Sequence, residues 1–594
     1  MKTITVTKTL AFAALLLAGQ PAVAQDIPVL KAGDYTKPSW TRLNRVLATM
    51  QPSTMPYSIN MTVNGDPATR MAFAWFTNAG VKDGEVQLVA KAGATAADFA
   101  APAMVVKANV TDVTGLNYSI AKNNIAGVEP NTKADYCAHK AVATALTPGT
   151  TYSYRVGNKD GWSEIGTFTT APDDKNENYS FIYITDTQAQ NDEMFNVSQK
   201  TVHAAYRMVP DAAFVLCNGD LVETSGANNS EWEYEQWFDT MQDVWMNCPL
   251  VVAQGNHDTS GNSNFTYHFN TDTTYNDKAA VATAMDGTVY SFVRGDVLFM
   301  VINYEDWKKE GYFESLSAWM REQVSAHKDV KWRVATYHKN MFTGSRSHQD
   351  DGDGRAVRAA MLPVFEELGI NVALQGHDHI YEVMGPVNNS AKTLLADAVE
   401  KVETVGEGGE RENMTGKSGG VYNVSKGTLY FLNNSAGKKK YEPRNEEQMI
   451  ASLAKHEVEN YWGLFSGKFG QTGEPTFSKV DVTPDTISIT TYTVDDAGKA
   501  TVYDSFKIVK EDKASAVGSV SDASDGVKMY FDAAAENIVI QGITPESVSV
   551  FSTDGKLVAG ANAATIAATG FSSGVYIVKA VKGQDNYYGK VMVE

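Results

Sequence analysis

The stretch LQGHDHIYE, residues 374–382, is the clearest indication of how the central part of this chain folds. The apolar run 371–374 ends at Gln375-Gly376, and two histidines, His377 and His379, follow with one residue between them. Residues i and i+2 of a strand point to the same side, so the two imidazoles can converge just beyond a strand end. A pair of ordinary turn histidines is the alternative interpretation, which the rest of the chain has to test.

The pattern around this stretch recurs over a long central region, where apolar or β-branched runs alternate with helical segments. Strands are predicted at 180–185, 212–216, 250–253, 297–302, 332–337 and 371–375, and helices near 196–208, 231–245, 314–327 and 355–368. This alternation predicts an α/β core with right-handed crossovers. In such sheets, ligands bind beyond the carboxyl ends of the strands.

Polar residues with metal-ligating atoms lie where these predicted strands end. They are Asp186, Asp220, Asn256, His338, His377 and His379. Each alone is more often a simple turn residue, but six at one edge of one sheet call for a common explanation. Buried carboxylates and imidazoles that face each other need neutralising, and a pair of cations does this. Oxygen and nitrogen ligands without thiolate suit Mn, Fe, Zn or Mg-like ions.

Four separated motifs occur here in the order found in a known superfamily. They are Gly219-Asp220, the run 255–258 (GNHD), His338 after the run 334–337, and the run 376–379 (GHDH). Across residues 30–510 the chain resembles the calcineurin-like metallophosphoesterases, and more closely their purple acid phosphatase branch. The segment GTLYFLNNSAG, residues 427–437, is similar to the late strand segment of that branch.

The resemblance implies a binuclear centre of two divalent or trivalent ions, Fe, Zn or Mn. It assigns Asp186, Asp220 and His379 to one ion, and Asp220, Asn256, His338 and His377 to the other, with the Asp220 carboxylate as the bridge. The implied reaction is attack of a metal-activated hydroxide on a phosphoester.

Three further residues receive catalytic roles from the same resemblance. His257 is expected to face the substrate and to assist departure of the alkoxide, with Asp258 orienting it. His348 has a general-acid role as one interpretation and a solvated loop histidine as the other.

Two positions depart from the purple acid phosphatase pattern. Glu223 stands where that branch has a metal-binding tyrosine, and Gln188 stands where it has a glycine after Asp186. Without a tyrosinate ligand, the purple colour of the family is not expected. Glu223 is a candidate ligand of the first ion, although it could instead bind a metal-bound water or cap the next segment. The Gln188 side chain is expected to enter the space near the first ion.

The flanking regions predict a multidomain protein. Short alternating strands over residues 30–172 predict an all-β sandwich, similar to a fibronectin III-like domain, before a central α/β domain at 179–510 with two sheets in an αββα sandwich. A linker at 511–526 leads to a small all-β module at 527–594. That module resembles the C-terminal sorting domain of type IX secretion, through the runs 550–558, 574–576 and 589–594. A small appended binding module is the alternative.

The N-terminal residues predict export. Lys2 and Lys8, the apolar run 10–17 and Ala22-Val23-Ala24 have the order of a secretory signal peptide, residues 1–24, which indicates a periplasmic, cell-surface or extracellular protein. No later stretch has the length of a membrane span. The formal net charge of −19, with no basic stripe, argues against a nucleic-acid partner. A Cys217–Cys248 disulfide is an open alternative to buried thiols.

These observations lead to three functional hypotheses. The first is an exported acid phosphatase that hydrolyses phosphate monoesters. The second is a phosphodiesterase or nucleotidase of the same superfamily, and the third is a surface binding protein with a degenerate site. Bound metal separates the third from the other two, while the sequence leaves the metal identity, the small phosphoester substrate and the oligomeric state open.

Overall fold

The computed structural model describes residues 55–125, 127–224, 230–259, 264–281, 287–400, 419–510, 527–532, 535–553, 555–583 and 585–593. The predicted signal peptide at 1–24 and the predicted linker at 511–526 lie outside the described residues. The chain divides into two compact units, residues 1–510 and 511–594.

The amino-terminal part of the first unit is a β-sandwich. Its strands are β1 Tyr57–Thr62, β2 Met71–Asn78, β3 Glu85–Val89, β4 Met104–Lys107, β5 Asn109–Asn117, β6 Lys133–Ala143, β7 Thr151–Asn158, β8 Gly161–Trp162 and β9 Gly166–Thr169. One layer contains β1, β2, β5 and β6, and the other contains β3, β4, β7, β8 and β9. Phe73, Trp75, Leu88 and Tyr154 fill the space between the layers, as the period-two pattern of these strands predicts.

The central part alternates strands and helices. Its strands are β10 Tyr179–Ile184, β11 Val215–Asn218, β12 Leu250–Ala253, β13 Tyr290–Arg294, β14 Val297–Ile302, β15 Trp332–Tyr337, β16 Val372–Gln375, β17 Tyr381–Asn388, β18 Thr393–Leu394, β19 Val399–Glu400, β20 Val421–Asn423, β21 Thr428–Asn433, β22 Phe469–Gly470, β23 Thr476–Val482, β24 Thr486–Val494 and β25 Ala500–Val509. Its α-helices are α1 Asp192–Met208, α2 Glu231–Thr240, α3 Gln242–Trp245, α4 Asn264–His268, α5 Thr274–Lys278, α6 Tyr312–Ala326, α7 Gly352–Glu367 and α8 Glu446–Ala451.

Two sheets packed face to face form the central layers. One has the order β19-β20-β25-β24-β23-β10-β11-β12-β1-β2-β6-β5, and the other has the order β13-β14-β15-β16-β21-β17-β18, with β22 paired to β17. Phe181, Phe214 and Phe299 meet between the sheets. Helices α1 to α3 cover the outer face of the first sheet, and α6 and α7 cover that of the second. This is the expected αββα sandwich with mixed sheets.

The sandwich and the central part share one sheet, which the sequence did not predict. Strand β1 pairs in parallel with β12 through Thr62 and Leu250. The side-chain Nδ2 of Asn60 donates to the carbonyl of His268 at 2.9 Å and strengthens the junction. The polar segment at 173–178 therefore connects two parts that are joined by backbone pairing elsewhere. The domain boundaries stay predictions.

The second unit is all-β. Its strands are β26 Lys528–Asp532, β27 Asn537–Gln541, β28 Ser547–Ser552, β29 Leu557–Ala561, β30 Thr565–Ala567, β31 Gly574–Lys582 and β32 Asp585–Val593. They form sheets of order β26-β27-β30 and β29-β28-β31-β32 around a common apolar core. This arrangement is consistent with the small β module predicted at 527–594.

Several details refine the sequence interpretation. The strand predicted at 212–216 lies at Val215–Asn218, so only Gly219 separates its end from Asp220. The helix predicted at 231–245 is divided into α2 and α3. Cys137, Cys217 and Cys248 are buried free thiols, so the alternative Cys217–Cys248 disulfide is wrong. Over the described part of the chain, no helix has both the length and the apolar character needed to cross a bilayer.

Candidate metal centre

The carboxyl ends of five strands, three in the first sheet and two in the second, bring the six predicted ligands to one place, so the predicted single sheet edge is wrong. Strands β10, β11, β12, β15 and β16 end immediately before or within a few residues of them. Asp186, Asp220 and His377 have φ angles of 55°, 50° and 77°, in the left-handed region that side-chain-bearing residues rarely adopt. Such backbone strain is characteristic of functional sites, because the surrounding structure has to hold it in place.

One half of the centre contains His338, His377 and Asn256 together with Asp220. The His338 Nδ1–H donates to the carbonyl of Asn218 at 2.9 Å, which turns Nε2 toward the centre. This Nε2 lies 3.2 Å from Asp220 Oδ2 and 3.2 Å from Asn256 Oδ1. Ligand atoms of Asp220, His338 and His377 all lie within 4.8 Å of one another. We call these four residues the His338 half.

The other half contains Asp186 and His379. Their facing atoms, Asp186 Oδ1 and His379 Nε2, are 3.2 Å apart, and both side chains are buried. Asp186 Oδ2 accepts hydrogen bonds from Thr185 Oγ1 at 2.6 Å and from the amide of His377 at 3.1 Å. The two histidines of the GHDH motif thus serve different halves, as the sequence predicts. We call this pair the Asp186 half.

Glycines allow the strand ends to approach so closely. A Cβ atom on Gly255 would lie 2.2 Å from Asp220 Oδ1, and one on Gly376 would lie 2.5 Å from Thr185 Oγ1 and 2.9 Å from His338 Nδ1. Real Cβ atoms do not tolerate such contacts, so a side chain at either position would displace the site.

The electrostatics of the centre follow from burying opposite charges together. Burial by itself disfavours the carboxylate of Asp220, but His338, His257 and His377 keep its pKa well below the usual range. Burial by itself would lower the pKa of His338, but Asp220 raises it to about 10. For His377, burial and the neighbouring His348 and His338 lower the pKa. The protein thus concentrates ionised carboxylate and imidazole at one buried point.

His257 lies at the edge of the centre, where substrate can reach it. Its backbone amide donates to Asp220 Oδ1 at 2.8 Å, and its Nε2 lies 3.9 Å from Asp220 Oδ2. The ring Nδ1–H donates to the carbonyl oxygen of Glu223. The side chain is 23% exposed, whereas those of Asp186, Asp220, His338 and His379 are almost fully buried, so His257 is more accessible than these four.

Asp258 is placed differently from the expectation that it orients His257. Its Oδ1 accepts from the amide of Leu221 at 3.0 Å, and its Oδ2 accepts from the amide of Gly255 at 2.8 Å. Burial, together with the Asp220 charge, raises its pKa to about 7. Asp258 therefore ties together the two loops that carry Asp220 and Asn256, while the carbonyl of Glu223 orients His257.

His348 lies beside the His338 half. Its ring centroid is 4.0 Å from that of His377, and its Nδ1 lies 2.7 Å from Asp351 Oδ2. The side chain is 24% exposed. His348 is thus partly exposed and lies beside His377, and its general-acid role stays a prediction.

Comparison with protein families agrees with this geometry. Residues 56–170 match the purple acid phosphatase N-terminal domain, and residues 179–381 match the calcineurin-like phosphoesterases. The chain carries a calcineurin-like phosphoesterase domain. Such a domain is that of a hydrolase acting on phosphoester bonds.

Individual relatives are distant. The chain is 24% identical over 330 residues to the probable inactive purple acid phosphatase 9 of Arabidopsis thaliana, covering 48% of each chain. It is 24% identical over 278 residues to acid phosphatase type 7 of Danio rerio, covering 42% of this chain and 58% of that protein. The chain thus spans about half the length of these curated relatives.

A solved structure extends the likeness in fold. The purple acid phosphatase PPD1 from yellow lupin (Lupinus luteus) seeds aligns with a TM-score of 0.54 at 15% identity, over 80% of this chain and 79% of that one. At this identity the comparison shows the fold alone. It covers more of the chain than the phosphoesterase domain, in keeping with the sheet that the two parts share.

Glu223 and Gln188, the two positions that depart from the purple acid phosphatase pattern, contact each other. The Gln188 Nε2 donates to Glu223 Oε2 at 3.0 Å, and Lys439 Nζ lies 2.7 Å from Glu223 Oε1. Tyr441, on the same loop as Lys439, stacks on His379 with ring centroids 4.3 Å apart. The sequence analysis missed Lys439 and Tyr441. Their one signal is their place directly after the strand segment 427–437, at the carboxyl end of β21.

The nitrogen and oxygen atoms gathered at this site are suited to binding metal ions. Because His338 Nδ1 donates to Asn218, its Nε2 faces two oxygen acceptors, on Asp220 and Asn256, and a metal ion could take the place of the Nε2 proton. Within the described residues, Asp186 Oδ1 is buried without a hydrogen-bond partner, and it faces His379 Nε2 at 3.2 Å. Acceptors that face one another at a buried point are neutralised by a cation, and oxygen and imidazole ligands suit Fe, Zn or Mn.

Proposed function

We propose that this chain is a binuclear metal-dependent phosphatase that hydrolyses phosphate monoesters, similar to the purple acid phosphatases. The observation that carries the proposal is the pair of carboxylate–imidazole contacts, Asp220 with His338 and Asp186 with His379, each at 3.2 Å. The six candidate ligands would divide as the halves divide them, with Asp220 shared. Glu223 is left out of this set because both of its side-chain oxygens are engaged, by Lys439 and by Gln188.

The ions would supply Lewis acidity toward the phosphoryl oxygens and would lower the pKa of a bound water. The chain's own residues do the rest. His257, fixed through Nδ1 by the carbonyl of Glu223, directs Nε2 toward the centre and can donate a proton to a departing alkoxide. Asp258 supports the loop positions of Asp220 and Gly255 rather than His257 itself.

His348 is the second proton carrier that the geometry favours. It stands against His377 with its Nδ1 on Asp351, so its Nε2 is left for substrate. Two imidazoles at the rim of a cationic centre suit a monoester, which presents three terminal phosphoryl oxygens, whereas a diester presents two. The family names of the matched regions support the same substrate class.

The remaining parts of the proposal concern location. We infer from the signal-like N-terminus that the protein is exported to the periplasm, the cell surface or the medium. We infer that the all-β unit at 527–593 has a sorting or attachment role in type IX secretion. We also infer that the N-terminal sandwich is a fibronectin III-like module. No nucleic-acid partner is proposed, given the net charge of −19.

The test is hydrolysis of p-nitrophenyl phosphate and its bis-ester by the full chain at acidic and neutral pH. It is run before and after chelation, with Mn²⁺, Zn²⁺ or iron restored. We expect metal-dependent monoester turnover that falls about a hundredfold in His257→Gln, because a general acid contributes at least that much. Preference for the bis-ester would instead favour a phosphodiesterase.

Metal content separates the enzyme from a degenerate site. Near two ions per chain together with turnover supports the proposal. Two ions without turnover on either ester would contradict it, and no bound ion would favour the surface binding protein.

A further inference from the structure

Glu223 follows the shared candidate ligand Asp220 by three residues, but both of its side-chain oxygens are engaged elsewhere. The Lys439 ammonium lies 2.7 Å from Oε1, and the Gln188 amide donates to Oε2 at 3.0 Å. The Glu223 side chain is 15% exposed and that of Lys439 is 28% exposed, so the ion pair is mostly shielded from water. A shielded pair with an additional hydrogen bond is held much more firmly than a surface pair.

The segment 437–441, GKKKY, brings this ammonium to the centre. The amide of Gly437 donates to the carbonyl of Asp186 at 3.1 Å, and the amide of Tyr441 donates to the carbonyl of His379 at 3.2 Å. Both ends of the segment are thus anchored on the backbone of the Asp186 half. Lys439 lies midway between the anchors and reaches Glu223, whereas its neighbour Lys438 reaches Glu193 instead.

Gln188 completes the arrangement from the other side. It follows Asp186 by two residues and is buried, and its amide nitrogen faces Glu223. The backbone amide of Glu223 is in turn held by the carboxylate of Glu233 at 2.9 Å, so the residue is fixed at both its main chain and its side chain. To reach an ion in the Asp186 half, Glu223 would have to break two bonds to its side chain.

We propose that Lys439 and Gln188 hold Glu223 out of the metal centre, and that Lys439 thereby limits the affinity of the Asp186 half for cations. This inference rests on the proposed binuclear function. It makes Lys439 a positioning residue that determines how many carboxylates this half presents. With Glu223 withheld, the half presents Asp186, the shared Asp220 and His379, a set suited to a divalent ion rather than a more highly charged one.

The test measures binding of Mn²⁺ alone to the metal-stripped full chain, by equilibrium dialysis and by the electron paramagnetic resonance signal of the bound ion. The variants are Glu223→Gln, Lys439→Met and the double variant. Lys438→Met is the matched control on the same loop, and Asp186→Asn marks the loss of a true ligand.

We expect Glu223→Gln to bind two Mn²⁺ ions with an affinity within threefold of the unaltered chain. Lys439→Met, which releases the carboxylate, should bind the weaker ion about tenfold more tightly, the size of effect typical of groups that support metal ligands. The double variant should return to the original affinity, and Lys438→Met should match the unaltered chain.

Loss of one ion in Glu223→Gln would overturn the inference, because Glu223 would then be a ligand. Equal affinity in Lys439→Met and the unaltered chain would overturn it as well. Failure of the proposed function looks different, since the unaltered chain would then bind no pair of ions and Asp186→Asn would change nothing.

Discussion

Two buried histidines in this protein have opposite acid–base properties. His139, on β6 of the sandwich, has no exposed surface, and its ring stacks on Trp75 with centroids 5.1 Å apart. Burial lowers its pKa to about 4. His338, at the end of β15, is 2% exposed, yet its pKa is raised to about 10 by Asp220 against the effect of its own burial.

The comparison shows that burial alone does not determine the charge of an imidazole. His139 has a hydroxyl partner, Thr77 Oγ1 at 2.8 Å, and apolar neighbours, so the neutral ring is stable. His338 faces a carboxylate at 3.2 Å, so positive charge is favoured at the same point. The surroundings of His139 disfavour a positive charge on its ring, whereas those of His338 favour one.

The largest effect is expected from Asp220→Asn, which removes the carboxylate that faces His338. The surroundings of His338 would then resemble those of His139, and the shared ligand of both halves would be lost. We expect monoester turnover to fall by about a thousandfold or more, equivalent to about 4 kcal/mol of transition-state stabilisation. Steady-state kinetics with p-nitrophenyl phosphate measures this, and turnover within tenfold of the unaltered chain would contradict the role of Asp220.

The pH dependence of stability tests the lowered pKa of His139. The unfolded chain binds this proton below about pH 6.5, and the folded chain binds it only below about pH 4. The stabilising contribution is therefore fully present above pH 6.5 and is lost as the pH falls toward 4. The loss amounts to about 3 kcal/mol.

Comparison with His139→Phe isolates this contribution from the other acid-sensitive groups. Urea unfolding of the two full chains at pH 6.5 and at pH 4 measures the free energy of unfolding. The unaltered chain should lose about 3 kcal/mol more than the variant over this range. Equal losses in the two chains would show that His139 does not titrate as its environment implies.

His348 is partly exposed, with 24% of its side chain accessible and one carboxylate at 2.7 Å. In Asp351→Asn the ring loses the charged partner that fixes it beside His377. We expect kcat to fall about tenfold, in line with the loss of one charge-assisted hydrogen bond, with KM nearly unchanged. In a His348→Ala background the same substitution should have no further effect, and an additional loss there would assign Asp351 a different role.

Much of the centre was predictable because its residues follow short, strongly apolar strands. Asp186, Asp220 and Asn256 come directly or almost directly after such runs, and parallel strand ends meet at one sheet edge. The pairing of His377 with one half and His379 with the other also follows from the motif. These predictions depend on local sequence, where a strand and its end are visible together.

The parts that were not predicted depend on contacts between distant segments. The orientation of His257 depends on the carbonyl of Glu223, and the position of the Glu223 side chain depends on Lys439, 216 positions further along the chain. No local pattern marks such partners, because an ammonium on a loop has no periodicity. The expectation for Asp258 failed for the same reason, since its partners are backbone amides that any sequence provides.

The sheet shared through Thr62 and Leu250 has a consequence for how the protein is made. Strand β1 leaves the ribosome long before β12, so its outer edge has no neighbour during synthesis of the intervening chain. Contacts between distant residues form late and slowly in folding. The N-terminal sandwich therefore cannot complete its larger sheet as an independent unit. Truncation before residue 250 leaves an open strand edge, which is a site for aggregation rather than a smaller working module.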